Sequence, residues 1–550
     1  MKNKRSKRSC YHAANRPRPG WTLFGLFADT ASVAGAFELP ILVHRKAACL
    51  LLSGCQRRWF LGQVTMAGSP AFDSARQWAE NIRAKRLSSV EALQFHLERI
   101  NKFNPELNAI VAVNLDRAHE VASAADKALA RGEIWGPLHG VPMTVKESFD
   151  VAGLATTWGV PALRDNIARN NAAAVDALAC NGAVVFGKTN VPIFLTDWQT
   201  FNPIYGTTCN PWDLSRTPGG SSGGAGAALA AGLTALELGS DIGASIRSPA
   251  HNCGVYGHKP SFEIVSQAGH SIPGAEVPLD MLACGPLART AEDLELALDI
   301  IAGAEPEDTP FWTLSLPPPR FRQLKDFRIA VWLEDECCRV DSRIQELISS
   351  AARTVEAAGG SVDEGARPFS DSNASHALYV QLLRGATGAV LPADLFESQS
   401  RQAEQLSEGD HSYLAKTLRG VVQMHRSWFL AHQQRAALRS QWAAFFRSFD
   451  VLLCPIAASA AFPHDQQTER PFRQIQVNGR AENYNDQLFW AGLASLAYLP
   501  ATVAPIGFTE AGLPLGVQII GAYMQDKTTI EFARLLAVEM GGFRPPPKFL

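Results

Sequence analysis

Two glycine-rich turns separated by small residues constrain this sequence more than any other feature. Residues 219–250 read GGSSGGAGAALAAGLTALELGSDIGASIRSPA. Glycines permit backbone conformations that point several amide N–H groups at one place, and a helix start adds further free donors. The stretch 225–238 is apolar and predicts a helix, which argues against a flexible Gly/Ser linker. The segment therefore predicts a cradle for an anion, with Ser221, Ser222 and Ser245 in its turns.

Other glycine-rich sites do not fit the context. This glycine-rich segment, 219–250, contains no GxxxxGK[ST] sequence for a phosphate-binding loop. The stretch GSSGG at 220–224 matches GxSxG, which would make Ser222 the nucleophile of an α/β-hydrolase elbow. That elbow must follow a strand directly. The preceding residues, NPWDLSRTP at 210–218, contain two prolines and few strand formers, so we reject this interpretation.

One lysine ends an apolar run, GVPMTVK at 140–146. A lysine held in an apolar wall loses the hydration of its charged form, so its pKa falls toward the range in which it acts as a base. Taken alone, Lys146 would more often be a strand-end lysine in water. The serine-rich turns that follow give the catalytic interpretation its weight.

Helical and strand patterns alternate along the chain. Ser88 and Glu91 form a capping box before an apolar helical stripe. Residues 172–179 predict a helix followed by a buried strand at 182–187, and residues 327–332 predict another strand followed by a helix. This alternation predicts an α/β protein built on a helix-covered sheet.

The domain prediction is one folded unit over residues 66–550. The proline-rich stretch LPPPR at 316–320 is the best linker candidate. The charged helical region that follows, around 340–450, predicts a cap-like insertion rather than a separate domain.

The first 65 residues differ from the rest. They hold eleven Lys/Arg against two acidic residues, whereas the whole chain has a net charge of -2. Residues 1–65 predict a disordered basic extension, and Met66 is an alternative start. The apolar stretch 21–43 contains Asp29, Glu38 and Pro40, so we predict no membrane span.

Composition argues against several function classes. A net charge close to zero provides no positive electrostatic field that would attract nucleic acid. The ten cysteines contain no CxxC pair, and the histidines contain no HExxH. We therefore expect no metal, no cofactor and a cytoplasmic protein without a disulfide framework.

Three segments together resemble the amidase signature family: GVPMTVKES from 140, GGSSGG from 219 and GSDIGASIRSPA from 239. The resemblance continues through GHKP, GPLAR and LPLGVQ, and covers about residues 70 to 545. It implies a single domain with a mixed, twisted sheet covered on both faces by helices. It also implies that Ser245 attacks an amide carbonyl, that Ser221 relays the proton, and that uncharged Lys146 accepts it.

The resemblance also implies a cis Gly220–Ser221 peptide bond, a supporting hydrogen-bond role for Ser222, and no cofactor. The backbone N–H groups of Ile242, Gly243, Ala244 and Ser245 are predicted to hold the tetrahedral oxyanion. Asp241 and Arg247 are predicted to brace this turn as an ion pair.

Ala244 departs from the family pattern, which usually has Gly-Gly-Ser. A positive φ at this position would strain alanine by about 1–2 kcal/mol; otherwise the methyl group would only narrow the pocket. A catalytically weakened, non-enzymatic homologue is therefore an alternative hypothesis.

The substrate is expected to be a small-molecule amide. Trp198 and Tyr205, with Trp490 as a weaker candidate, predict a pocket for an apolar or aromatic acyl group. The main alternative is the glutaminase A-type subunit of a tRNA-dependent amidotransferase. Its typical Met-Asp-Glu-Phe stretch is replaced here by VPIF at 191–194, which argues against that function. Assembly into a homodimer is compatible with the sequence.

Overall fold

The protein is described from a computed structural model that covers residues 70–275, 277–305, 308 and 311–550. The predicted extension 1–65 and the alternative start at Met66 lie outside these residues. Ser69 to Leu550 form one compact unit.

The described residues form fifteen strands. They are β1 Ile110–Val113, β2 Pro142–Lys146, β3 Val184–Thr189, β4 Phe201–Asn202, β5 Gly206–Thr207, β6 Glu237–Asp241, β7 Tyr256–Lys259, β8 Ala283–Ala288, β9 Arg328–Val331, β10 Ser361–Asp363, β11 Val451–Cys454, β12 Gln474–Val477, β13 Arg480–Asn483, β14 Ala501–Phe508 and β15 Pro514–Gly521.

Eleven of these strands form one mixed sheet, in the order β1-β3-β2-β6-β8-β7-β14-β15-β11-β9-β10. Strand β2 runs parallel to both of its neighbours, β3 and β6, while β6 and β8 are antiparallel. The central strands β2, β6 and β8 are buried along their whole length. Because both faces of such strands must be covered, helices pack above and below them.

Fourteen α-helices accompany the strands in the described residues. They are α1 Ala75–Arg83, α2 Ser89–Leu107, α3 Leu115–Ala130, α4 Ala173–Cys180, α5 Gly223–Ala230, α6 Arg247–Cys253, α7 Ala291–Ile301, α8 Ser342–Ala357, α9 Ser372–Gly388, α10 Ala393–Glu404, α11 Tyr413–Val421, α12 His425–Ser448, α13 Leu488–Ser495 and α14 Asp526–Met540.

The α/β prediction is confirmed, and the capping box has the expected form. The Ser88 hydroxyl accepts a hydrogen bond from the Glu91 N–H at 3.0 Å, and the Glu91 carboxylate accepts one from the Ser88 N–H at 2.7 Å. The two reciprocal bonds satisfy donors that a bare helix start leaves free. The predicted strand at 182–187 corresponds to β3, and that at 327–332 to β9.

The predicted helix over 225–238 is wrong in its second half. Helix α5 ends at Ala230, and Gly232 adopts a φ of +68°, which a helix does not contain. The chain then enters the sheet as β6 at Glu237. A fully buried apolar strand has no alternation of polar and apolar residues, so its sequence resembles that of a buried helix.

The predicted cap over 340–450 is too long. Helix α8 packs on the main sheet, and β10 pairs in parallel with β9 at the sheet edge. The helices of this region that remain are α9 to α12, which we call the cap helices after that prediction. The proline-rich stretch at 316–320 separates no domains, because β9, β10 and β11 continue the same sheet beyond it.

No helix within the described ranges is long and apolar enough to cross a membrane.

Candidate active site

Lys146 is the last residue of β2, and its side chain is fully buried. Its Nζ lies 2.7 Å from the Ser221 Oγ and 2.9 Å from the Ser240 Oγ. Loss of hydration lowers the pKa of Lys146 to about 7, although the negative charge of Asp241 partly opposes this. A large fraction of Lys146 is therefore uncharged at neutral pH and able to accept a proton from a hydroxyl.

Ser221 lies at the entrance to α5, after a cis Gly220–Ser221 peptide bond. The turn fits only because its glycines lack side chains. A Cβ at Gly223 would overlap the Thr200 Oγ1, and one at Gly224 would overlap the Asn190 backbone N atom. The packing thus explains why the segment is rich in glycine.

Ser222 lies in the core of the same turn. Its N–H donates to the Ser245 carbonyl at 3.0 Å, and its hydroxyl donates to the Ser240 carbonyl at 3.4 Å. The residues before the turn form no strand. The context required for an α/β-hydrolase elbow at Ser222 is therefore missing in the structure too.

The turn that carries Ser245 is built around the carboxylate of Asp241. This carboxylate accepts hydrogen bonds from the N–H groups of Ala244 at 2.9 Å, Ile246 at 3.0 Å and Arg247 at 3.2 Å. The Arg247 guanidinium pairs with it at 2.8 Å, and both side chains are fully buried. Burial raises the pKa of Asp241, but Arg247 outweighs it and holds the pKa at about 2. Asp241 is therefore charged and organises the turn.

Ala244 has a φ of +72°, so the strained alternative applies. Its methyl group is buried in an apolar cluster with Ala225, Leu229 and Ile246, on the side away from the cavity. The alternative that the methyl group narrows the pocket is therefore wrong.

The hydrogen bond from Ala244 to Asp241 also corrects the predicted oxyanion site, because this N–H already has an anionic acceptor. The N–H groups of Ile242, Gly243 and Ser245 have no acceptor among the described residues. The carbonyls of the same turn are held from behind: Tyr379 donates its hydroxyl to the Ile242 carbonyl at 2.9 Å, and Trp198 donates its indole N–H to the Gly243 carbonyl at 2.7 Å.

Ser221 and Ser245 line the same cavity, together with Ser240. The other walls are mostly apolar, and their residues are Trp158, Phe194, Leu195, Trp198, Ile242, Leu279, Leu282, Leu383 and Leu488. Thr196, Asp197, Gly243, Arg384, Thr387 and Arg470 complete the lining. Trp198 is thus in the wall where the sequence predicted it.

Tyr205 and Trp490 are not in that wall, so these two pocket predictions are wrong. The Tyr205 hydroxyl donates to the Glu147 carboxylate at 3.3 Å, in a loop beside the cavity. Trp490 is fully buried in α13 and packs edge-on against Trp332 and Phe489. The sequence places both aromatic residues near the site but does not tell which direction they face.

Sequence reasoning also missed two residues of the cavity wall, Trp158 and Arg384. Trp158 is held in the cavity wall because the Glu147 carboxylate, next to Lys146, accepts the N–H groups of Thr157 at 2.6 Å and Trp158 at 2.9 Å. The sequence feature that could have indicated Trp158 is Glu147, the carboxylate directly after Lys146. No feature of the sequence marks Arg384 as a cavity residue, because it lies in α9, a helix without a distinctive pattern.

The described ranges contain no group of three or more His, Cys, Asp or Glu side chains suited to a metal ion.

Comparisons with known proteins identify the family of the chain. The Amidase family model matches residues 91–530. Indoleacetamide hydrolase of Bradyrhizobium diazoefficiens is 34% identical over 465 residues, which cover 82% of this chain and 84% of the relative. The A subunit of glutamyl-tRNA(Gln) amidotransferase from a Cyanothece strain is 32% identical over 481 residues, covering 84% and 96%.

A solved bacterial aryl acylamidase of the amidase signature family superposes with a TM-score of 0.72 at 26% identity, covering 86% of this chain and 97% of the other. The chain therefore belongs to the amidase signature family. It is an amidase, an enzyme that hydrolyses amide bonds.

Proposed function

We propose that the protein hydrolyses a carboxylic amide through an acyl-enzyme on Ser245, with Ser221 and Lys146 as a proton relay. The observation that carries the proposal is the 2.7 Å contact between the Lys146 Nζ and the Ser221 Oγ, at a lysine whose pKa burial lowers to about 7. A serine hydroxyl is a weak nucleophile unless a base removes its proton during attack. The described residues around Ser245 contain no histidine that lines the cavity, and Lys146 fills the role of base.

In the first step the Ser245 Oγ attacks the amide carbonyl carbon and forms a C–O bond. The Ser245 proton passes to Ser221, whose own proton passes to Lys146. The carbonyl oxygen becomes an oxyanion, which the N–H groups of Ile242, Gly243 and Ser245 stabilise. Removal of one such donor typically raises the activation free energy by about 2.7–4 kcal/mol.

In the second step the relay runs in reverse. Protonated Lys146 returns a proton through Ser221 to the leaving nitrogen, so the C–N bond breaks with departure of ammonia or an amine. Protonation of this nitrogen is the step that makes amides harder to cleave than esters. Water then attacks the acyl-enzyme with the same proton path and releases the carboxylic acid.

The apolar walls support an apolar or aromatic acyl group. Trp158 and Trp198 bound the cavity near the two serines, with leucines from several elements around them. Burial of one additional methylene in such walls contributes about 0.8 kcal/mol. The two wall tryptophans favour aryl and longer aliphatic amides over short ones.

A glutaminase component of a tRNA-dependent amidotransferase is the second candidate. Relatives with that name are 30–33% identical, and the one from Cyanothece is covered over 96% of its length. Such a component would work with a partner. Copurification of a stoichiometric partner, with glutamine hydrolysis that depends on it, would favour this candidate.

The test is covalent labelling of the nucleophile. A fluorophosphonate probe should modify Ser245, identified by peptide mass spectrometry, and Ser245→Ala should abolish both the adduct and amide hydrolysis. Ser222→Ala is the matched control, because Ser222 lies in the neighbouring turn and should not carry the adduct. An adduct on Ser222, or unchanged turnover in Ser245→Ala, would refute the mechanism.

A wild-type protein that hydrolyses no aryl, aliphatic or amino-acid amide would instead favour the weakened homologue, for which the positive φ of Ala244 is the structural basis.

A further inference from the structure

The cavity beside Ser245 contains two guanidinium groups that form no ion pair with an acidic side chain of the described residues. Arg384, on α9, and Arg470 both line it. No carboxylate of the described residues lies within ion-pairing distance of either group. This differs from Arg247 and Arg435, which pair with Asp241 and Asp280 at 2.8 Å.

The acidic residue in the same wall is already neutralised. Asp197 accepts hydrogen bonds from Arg473 at 2.5 Å and from the Tyr484 hydroxyl at 2.6 Å. Its charge is therefore balanced by Arg473. Arg384 and Arg470 leave the cavity with an excess of positive charge.

Arg470 has a structural role of its own. Its guanidinium lies 5.1 Å from the ring centre of Trp198 and donates to the Thr196 carbonyl and, at 3.2 Å, to the Asn485 side chain. These contacts hold Trp198 and the loop before it. Two of the five N–H donors of the Arg470 guanidinium are therefore used within the protein.

Arg384 makes fewer such contacts, because its guanidinium donates one hydrogen bond among the described residues, against two for Arg470. Its Nη2 donates to the Tyr413 hydroxyl, a neutral acceptor on the cap helix α11. Its Nε is buried and has no hydrogen-bond partner in the described part of the chain. Arg384 as a whole is half-buried, so its guanidinium is partly withdrawn from water without an anionic partner, which a ligand carboxylate in the cavity could supply.

The pKa of the Tyr413 hydroxyl is affected by the same excess of positive charge. Burial by itself raises the pKa of this phenol, yet the charges of Arg384 and Arg470 outweigh burial and lower the pKa below its usual value. The two guanidinium groups therefore act on one region at the cap side of the cavity.

We propose that Arg384 binds a carboxylate of the substrate, remote from the amide that is cleaved. The enzyme then prefers amides whose acyl part is apolar in the middle and anionic at its far end, such as the monoamide of an apolar dicarboxylic acid. The inference rests on the proposed function, since Ser245 sets the end of the cavity at which the amide lies. The apolar walls hold the middle of the chain, and Arg384 selects its end.

The experiment compares matched pairs of amides that differ in one charge. The pairs are adipic acid monoamide with hexanamide, and para-carboxylated with para-methylated phenylpropanamide. The kcat/KM ratio of the charged to the neutral member is measured for wild type, Arg384→Gln, Arg384→Lys and Arg401→Gln. Arg401 is the control, because it is an exposed cap arginine that does not line the cavity.

We expect the wild-type enzyme to prefer the charged member and Arg384→Gln to lower the ratio about 10- to 100-fold, the range for a lost charge-assisted hydrogen bond. Arg384→Lys should retain part of the preference, and Arg401→Gln should retain all of it. A wild-type ratio at or below one, or an equal ratio in wild type and Arg384→Gln, would overturn the proposal while amide hydrolysis itself stands.

The same pairs are also bound to Ser245→Ala and Ser245→Ala/Arg384→Gln by calorimetry, which needs no turnover. Tighter binding of the charged member that disappears in the double variant supports the proposal, even if the nucleophile has been misassigned. Equal binding of both members to Ser245→Ala refutes it.

Discussion

The inner floor of the active site and its outer wall are built in different ways. The floor is formed by the end of β2, the start of α5 and the turn after β6. Its polar side chains are buried, and Lys146 and Ser221, like Asp241 and Arg247, are bonded to each other. The wall takes residues from separate loops and from the cap helix α9. Under the proposed mechanism, the floor carries out the reaction and the wall selects which amide undergoes it.

The largest expected effect is on kcat/KM, which a floor variant should lower for every amide and a wall variant only for some. Lys146→Ala removes the base and should lower kcat/KM about 1,000- to 10,000-fold for every amide tested. Phe194→Ala, in the wall, should change the ratio between aryl and short aliphatic amides by about tenfold, with smaller changes in kcat. Steady-state kinetics on an amide panel measure both. Substrate-dependent losses in Lys146→Ala would break the comparison.

The next prediction concerns the stability of the floor. Asp241→Asn leaves the Arg247 charge buried without a partner and should lower the free energy of unfolding by about 3–5 kcal/mol. Because the folded-state pKa of Asp241 is depressed to about 2, its contribution is fully present at neutral pH and is lost only as pH falls through that value. Denaturant unfolding at pH 7 measures the change.

Glu120→Gln is the control for that prediction, because the Arg117–Glu120 pair lies on the surface with about two thirds of each side chain exposed. It should cost less than about 1 kcal/mol. Equal losses in Asp241→Asn and Glu120→Gln would show that the buried pair does not hold the turn.

The third prediction is a pH profile that belongs to the floor alone. Protonated Lys146 cannot accept the Ser221 proton, so kcat/KM should fall on acidification through about pH 7 and approach a tenfold loss per pH unit below it. Wall variants such as Phe194→Ala should keep the same midpoint. A profile that stays flat from pH 8 to about pH 5 would exclude neutral Lys146 as the base.

The smallest expected effect is at Ala244. Ala244→Gly relieves about 1–2 kcal/mol of strain from the positive φ. It also removes a buried methyl group, which lowers stability by about 0.8 kcal/mol. The greater conformational entropy of glycine in the unfolded chain lowers stability by a further amount of about 0.4–1 kcal/mol. Thermal unfolding should therefore change by only a few degrees. Unfolding and kcat are measured together, because a rise in kcat of tenfold or more would show that Ala244 weakens the oxyanion turn.

The same division explains what the sequence could predict. Lys146 and Ser221 were predictable because their neighbours are restricted by backbone geometry and packing, which leave traces as glycines and an apolar run. The wall leaves no such traces. Trp490 and Tyr205 are near the cavity in the chain, but the orientation of a side chain depends on helix packing that distant segments determine, and Arg384 lies on a helix with no distinctive pattern.

Element boundaries failed for a related physical reason. The apolar stretch at 231–238 has the composition of a buried helix, and only its pairing with β2 and β8 makes part of it a strand. Likewise, the sequence does not determine the backbone conformation of Ala244, whose φ is +72° in a turn where its N–H donates to the Asp241 carboxylate.

The anchoring of Arg247 has a consequence for synthesis of the protein. This guanidinium, besides its pair with Asp241, donates to the Ser495 hydroxyl at 2.9 Å and to the Gln518 side chain at 2.6 Å. Gln518 lies on β15, 271 positions after Arg247. A nascent chain that has not yet reached β15 lacks the Gln518 contact that helps to hold the Ser245 turn, so we expect a ribosome-bound fragment to hydrolyse no amide. We expect hydrolytic activity to begin only after β15 has joined the sheet beside Arg247.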